Sequence, residues 1–342
     1  METENTLAEI TKEKENNLKS IILELGDAAL AIKYPQGIIK NDGEILDQIY
    51  DIIEYNRPNF EKLVKNIKNS IPELYDEMLT AKKKDYELNN GNSYKIDKKI
   101  ENSVSVMGHD LLSLIVRHHN LRTYFDYSDE FPEYVTSENA KYALSTLEAS
   151  KQFLQIMAYI TSDGDKKYIT AMPFENAGKI ISNTVFNSEN GNNLELTVSE
   201  LSNKESMIET PEFVSLFEMA KNTAKYSGNK AEISKYDYDD LEIIKITDYG
   251  KGIRSKDGSP IKKEDLPKIF DEKVTTNGTG IGLHLVKILS DMRNNDVSVI
   301  TNFPDSKKSL FYSLHNHLIM NTSFNGEQGT EFNIYYRMKN KK

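Results

Sequence analysis

Nine positions between residues 96 and 125 follow one another at intervals of 4, 4, 3, 4, 3, 4, 3 and 4. They are Ile96, Ile100, Val104, Met107, Leu111, Leu114, His118, Leu121 and Phe125. A seam repeating every 3.5 residues is what a helix presents to a bundle or coiled coil. A turn at 126–136 follows, and then a second helix with Ala140, Leu144, Leu147, Leu154 and Met157 on one side. The two helices form a hairpin whose core is too small to stand alone. The spacing therefore predicts a homodimer in which two hairpins make a four-helix bundle.

The rest of the 342 residues divides around this hairpin. Residues 1–90 read as an all-α region of unassigned role. Leu18, Ile21, Leu25 and Ala28 recur at helical spacing, as do Ile45, Ile49, Ile52 and Ile53. "NNGNS" at 89–93 is a linker, and the hairpin occupies 94–165. From 172 to 340 strands mix with helices without βαβ alternation. Helices are expected at 174–187, before "KYSG" and at 280–292, with strands at 194–199, 231–236, 241–248 and 330–337. The fold class is multidomain: helical N-terminal region, helical hairpin, and a C-terminal α+β sandwich.

A net charge of −10 argues against a general nucleic-acid binder, because no basic stripe offsets it. There is no cysteine, hence no disulfide framework and no thiolate metal site. The first residues, "METENTLAEITKEKENN", lack the apolar core of a signal peptide, and no apolar run approaches a membrane span. A soluble, cytoplasmic protein is expected.

Three segments of the last region carry chemistry. In "EMAKNTAKYS", Glu218, Asn222 and Lys225 lie at i, i+4 and i+7 on one helix face. A carboxylate, a carboxamide and an ammonium so aligned can activate a nucleophile, hold hydrated Mg²⁺ and neutralise a phosphate. Taken alone, such a face is more often an ordinary solvated one. In "ITDYGKGI", Asp248 closes an apolar strand, and Gly250 and Gly252 sit in the turn after it. A half-buried carboxylate there can accept a hydrogen bond from an exocyclic amine; by itself the pattern also fits a tight turn. In "IFDEKVTTNGTGIGL", glycines and threonines precede a helix, offering donors to a polyphosphate. It is neither a Walker loop nor a Rossmann turn.

In this order and spacing, the segments resemble the N, G1, F and G2 boxes of the GHKL ATPases. That is the Bergerat-fold superfamily of histidine kinases, gyrase, Hsp90 and MutL. The resemblance implies that Asn222 is the Mg²⁺ ligand and Glu218 the acid/base residue. It makes Asp248 the adenine reader, with Gly250 and Gly252 completing its box, and Phe270 the F-box phenylalanine. Gly278, Gly280 and Gly282 match the lid glycines. Lys225, Tyr226, Ile253, Lys273, Thr275, Thr276, Thr279, Ile281 and Leu283 fall in the same boxes, as nucleotide contacts. "GEQGTEF" is similar to the family's late G-T-x-F strand, which places Gly329 and Thr330 near the nucleotide.

Upstream, "SVMGHDLLSLI" resembles the H box of two-component histidine kinases. His109 lies two residues from both Met107 and Leu111, roughly 200° around the helix from them, and so faces solvent as a phosphoacceptor must. Asp110 would orient or deprotonate its imidazole. His118 falls on the seam and reads as a core or interface histidine. The H box departs from the family pattern at Leu112, where Arg or Lys is usual, and lacks the following proline. Ser113 stands where Thr or Asn often serves phosphatase action. The stretch 294–317 looks like an insertion before the last strands.

The expected function is a histidine kinase that phosphorylates His109 from Mg-ATP and passes the phosphoryl group to a response-regulator receiver aspartate. Two other readings stay open. One is a phosphotransfer or scaffold protein with a weakened ATPase domain; the other is a GHKL serine kinase.

Overall fold

The computed structural model describes residues 2–32, 55, 65–88, 95–106, 111, 113–115, 117–118, 130, 136–186, 195–200, 206–226, 230–255, 257–271, 281–303, 308–322 and 329–337. The chain divides into two units, Met1–Ile169 and Thr170–Lys342.

The first unit is helical. It contains α1 (Glu2–Ala31), a π-helical turn Asn66–Ser70, α2 (Ile71–Leu88), α3 (Lys98–Val106), α4 (Ser137–Thr161) and a 3-10 turn Lys166–Tyr168. Both the N-terminal helices and the hairpin, expected as separate regions 1–90 and 94–165, lie in this one unit. α1 packs along α2 and along α4. Its buried stripe is Leu18, Ile22, Leu25 and Ala29. Two of these are corrections, since the expected Ile21 and Ala28 are only half-buried. The stripe Ile45 to Ile53 lies outside the described residues.

α4 begins at Thr136, whose Oγ1 accepts from Asn139 N at 3.1 Å. From Ala143 to Thr161 every residue except Lys151 is buried, so α4 is covered all round within one chain. Three of its buried polar side chains bond within the helix. Thr146 Oγ1 donates to Ala143 O (2.8 Å), Ser150 Oγ to Thr146 O (2.7 Å) and Gln152 Nε2 to Glu148 Oε1 (2.7 Å). Burial pushes the Glu148 carboxyl above its ordinary value.

Against α4 the Ser103 hydroxyl donates to Met157 O (3.1 Å) and meets Thr161 Oγ1 at 2.8 Å. The seam buries Ile96, Ile100, Leu111, Leu114 and His118, and His118 Nδ1 lies 3.0 Å from Ala143 O. Val104 is half-buried, and Ser103 and Val106 are buried in its place, because the Ser103 hydroxyl has partners on α4. Met107, Leu121 and Phe125 lie outside the described residues. On another side, α1 meets α4 at Gly26, where a β-carbon would overlap that of Ala158.

The second unit opens with β1 (Ala171–Pro173), α5 (Phe174–Ile181), a π-helical turn Ser182–Phe186 and β2 (Glu195–Glu200). Next come β3 (Met207–Glu209), α6 (Thr210–Tyr226), β4 (Lys230–Tyr238), β5 (Leu241–Asp248) and a 3-10 turn Leu266–Phe270. It closes with α7 (Gly282–Arg293), β6 (Asp296–Phe303), β7 (Lys308–Ser313), β8 (Leu318–Thr322) and β9 (Gly329–Arg337). β1 and β3 pair with each other; the other seven strands form one sheet in the order β2-β4-β5-β9-β6-β7-β8. Among the described strands of this sheet only the β2–β4 pair is parallel. The stretch 294–317, expected as an insertion, supplies β6 and β7.

The register sets side chains in rows across the sheet. Ile233, Ile246, Phe332 and Val299 stand opposite one another in turn, and Ile244, Ile334 and Val297 form the next row. All seven are buried, and α6 and α7 pack on this sheet. One step beyond the first row, on the same face by the alternation of strands, lie Asp248, Thr330 and Thr301. A polar row thus crowns an apolar core.

Candidate nucleotide site

Asp248 is 4% exposed. Its Oδ1 accepts from Gly250 N (2.9 Å) and from Thr330 N (3.0 Å), so turn and late strand converge on one carboxylate oxygen. Burial raises the carboxyl above its ordinary range, and the two amides and the Thr330 hydroxyl oppose that shift. Gly329 has φ +100°, and a β-carbon there would run into the Asp248 backbone, so only glycine lets β9 come this close. Gly252 has φ +74° and lies against Asn302 O. The next residue, Ile253, donates its N–H to Thr301 Oγ1 at 2.8 Å. The turn after β5 is thus fastened to β6 as well as to β9.

Glu218 is 1% exposed, and Lys221 Nζ lies 3.2 and 3.3 Å from its two oxygens. Asn222 Nδ2 donates to Glu218 O at 3.0 Å, one turn back on α6. That leaves the Asn222 carbonyl oxygen as an acceptor. Lys225 and Tyr226 are exposed at the end of α6, with the ammonium 5.1 Å from the ring centroid. α7 starts directly over Glu218: a β-carbon on Gly282 would overlap Glu218 Oε2. Ile281 and Leu283 flank that glycine, half-buried. At their far ends the two helices are tied by Arg293 to Glu209 and Glu212, and Asn295 Nδ2 donates to Glu212 Oε1 at 3.1 Å.

Phe270 is fully buried, its ring 5.9 Å from that of Tyr312 on β7. Its carbonyl lies 3.2 Å from His284 Nδ1, and Asp271 pairs with Lys287 at 3.1 Å. The segment ending at Phe270 is thereby held on α7.

The structure brings Asp248, Gly250, Gly252, Ile253 and Thr330 together, and it sets Gly282 over Glu218. His109, Asp110, Lys273, Thr275, Thr276, Gly278, Thr279 and Gly280 lie outside the described residues. Lys221, Thr301 and Tyr312 were not foreseen. Lys221 is legible afterwards as an i+3 partner of Glu218. Thr301 and Tyr312 come from strands whose register no local pattern announces.

Residues 215–340 match the family model described as histidine kinase-, DNA gyrase B- and HSP90-like ATPase. The second unit carries a GHKL-type ATPase domain. Within the chain's curated relatives, the sensor histidine kinase YxdK of Bacillus subtilis (strain 168) is 34% identical over 92 residues, 24% of this chain and 26% of that protein. The sensor histidine kinase GraS of Staphylococcus epidermidis is 33% identical over 90 residues, 24% of either chain. The chain thus spans about a quarter of the length of the curated relatives it matches. A solved mycobacterial sensor histidine kinase, MprB, aligns at 15% identity and a TM-score of 0.36, over 49% of this chain and 96% of that one. The catalytic domain of histidine kinase ThkA aligns at 18% identity and a TM-score of 0.35, over 49% and 97%. The resemblance of the ATPase domain to two-component histidine kinases is borne out. Among the described residues no helix is long and apolar enough to cross a membrane.

Proposed function

We propose that the chain is a protein-histidine kinase: Mg-ATP bound in the ATPase domain phosphorylates His109, which passes the phosphoryl group to a receiver-domain aspartate. The observation that carries the nucleotide part is Asp248. Two backbone amides fix its Oδ1 and orient the carboxylate, and that geometry suits the exocyclic amine of adenine. Gly252, Gly282 and Gly329 stand where β-carbons would collide with neighbours, which keeps the backbone close-set around Asp248 and Glu218.

For the ion, Asn222 offers a single carbonyl oxygen. No group of three His, Cys, Asp or Glu that could hold a metal occurs among the described residues. One side-chain ligand suits Mg²⁺, which keeps waters and takes its remaining oxygens from substrate phosphates. The ion supplies charge neutralisation when bound. Lys225, Lys273 and the threonines and glycines of 275–280 are proposed phosphate contacts, with Tyr226, Ile253, Phe270, Ile281 and Leu283 lining the nucleotide.

In the reaction, a ring nitrogen of His109 bonds to the γ-phosphorus while the bond to the β–γ bridging oxygen breaks and ADP leaves. Asp110 orients or deprotonates the imidazole, and Glu218, neutralised by Lys221, takes the acid/base role that the resemblance gives it. Two copies are proposed to associate, although the described seam residues other than Val104 are already buried within one chain. α4, already covered all round in one chain, leaves that association to other surfaces. A soluble, cytoplasmic site of action belongs to the same proposal.

The test is incubation with γ-labelled ATP and Mg²⁺ of the wild type, His109→Gln and His118→Gln. Acid-labile, base-stable label on the wild type and on His118→Gln, but not on His109→Gln, is expected. Label that survives loss of His109 points to the serine-kinase reading; ATP binding without any label points to the scaffold.

A further inference from the structure

The strand β7 lies beyond β6, where it makes an interior strand of what would otherwise be the sheet's edge. Its register sets Tyr312 opposite Val299 and Leu310 opposite Thr301. Tyr312 is 3% exposed and therefore turned into the core, where its ring meets that of Phe270. On the other face of the same strand, Ser309 Oγ donates to Asn302 Oδ1 at 2.6 Å. The backbone carbonyl of Asn302 is the atom against which Gly252 is packed. One strand thus touches both sides of the candidate site: the turn after Asp248, through Asn302, and the segment before α7, through Phe270.

We infer that Tyr312 is a positioning residue for nucleotide binding, acting through Phe270. The inference rests on the nucleotide reading above. Phe270 is fixed from three directions. Tyr312 supports its ring, His284 meets its carbonyl, and the neighbouring Asp271 is paired to Lys287. Two of the three belong to α7, whose first residue, Gly282, rests on Glu218. Of these three, the Tyr312 ring is the support that comes from the sheet. It holds the start of α7, the phosphate side of the site, at a set distance from Asp248, the base side. A tilted pair at this separation has the geometry of a favourable aromatic contact. The hydroxyl of Tyr312 plays no part in this argument, so phenylalanine should serve as well.

The experiment measures the affinity of the full chain for ATP and for adenosine in wild type, Tyr312→Leu, Tyr312→Met and Tyr312→Phe, with thermal melts of each. The leucine and methionine variants are expected to bind ATP about tenfold more weakly, a change of about 1.4 kcal/mol. Adenosine affinity should be unchanged, since Asp248 is untouched, and Tyr312→Phe should match the wild type. Methionine, flexible and close in volume, keeps the test alive if leucine unfolds the domain. In a Phe270→Leu background, Tyr312→Met should have no further effect on ATP affinity. Equal losses for ATP and adenosine, or a full extra loss in the Phe270→Leu background, would overturn the positioning role. A wild type that binds neither ligand would overturn the nucleotide reading itself, and the inference with it.

Discussion

Burial works against the ionised form of Asp248. Its ordinary value is 3.8, and burial raises it in the folded protein. The native state therefore holds a proton on this group more tightly than the unfolded chain does. The resulting stabilisation is fully present below about pH 4 and is lost as pH rises through the folded value. The charged form is a net cost to folding, and the two amides that donate to it could equally donate to an asparagine oxygen. Asp248→Asn should therefore melt at or above the wild-type temperature at pH 7, and the difference should shrink on acidification towards pH 4. The same variant should bind ATP about ten- to a hundred-fold more weakly, the loss of a charge-assisted hydrogen bond of roughly 1.5–3 kcal/mol. Melting curves across pH together with ATP titrations check both. A variant that is less stable at pH 7 yet binds ATP normally would reverse the assignment.

Helix contacts carry a second prediction. α1 reaches α4 closely only because residue 26 has no side chain: its β-carbon would meet Ala158 and also the ring of Tyr168. Exposed on a lone helix, Gly26→Ala would gain about 1 kcal/mol from helix propensity. Here overpacking should outweigh that gain and cost roughly 1–3 kcal/mol. Combining it with Ala158→Gly should recover more than additivity allows. Denaturant titration of the four proteins measures the coupling, and a stabilised single mutant would mean that the helices do not meet there. This contact also marks the limit of what the chain discloses as text. Helical spacing announced α1, yet Ile21 and Ile22, and Ala28 and Ala29, are adjacent apolar pairs. Choosing the wrong member of each turns the stripe by about 100°. The face that wins is decided by α2 and α4, which periodicity cannot see. In the ATPase domain the legible part was local: Glu218 and Asn222 one turn apart, Asp248 at a strand end, glycines where backbone must pass. What escaped was the pairing of Glu218 with Gly282 and of Ile253 with Thr301, each joined across tens of residues by packing or strand register.

At the scale of the whole molecule, the helical unit bears on how copies meet. A hairpin was expected to complete its core with a second hairpin, and within one chain α1 already lies along α4. Ile22→Asp, which places a charge in the fully buried face of α1, should weaken that cover. The variant should then expose apolar surface on α4, bind a hydrophobic dye and associate more strongly than the wild type. Sedimentation at several concentrations, with dye fluorescence, provides the measurement. An unchanged association state and no dye binding would mean that α1 does not shield α4.

The position of β9 has a consequence for how such a chain is made. It follows every other strand of its sheet in sequence but lies between β5 and β6, and its Thr330 supplies one of the two amides to Asp248. A nascent chain that has emerged only as far as β8 holds two half-sheets, one ending at β5 and one beginning at β6, each with an open edge and no partner. Joining them needs the most distant pairing in the sheet, and such non-local contacts form slowly. Translation through residues 329–337 is therefore the step at which two sticky half-sheets become one domain. Until then the unpaired edges are a risk of misassembly that a chaperone or a neighbouring ribosome would meet first.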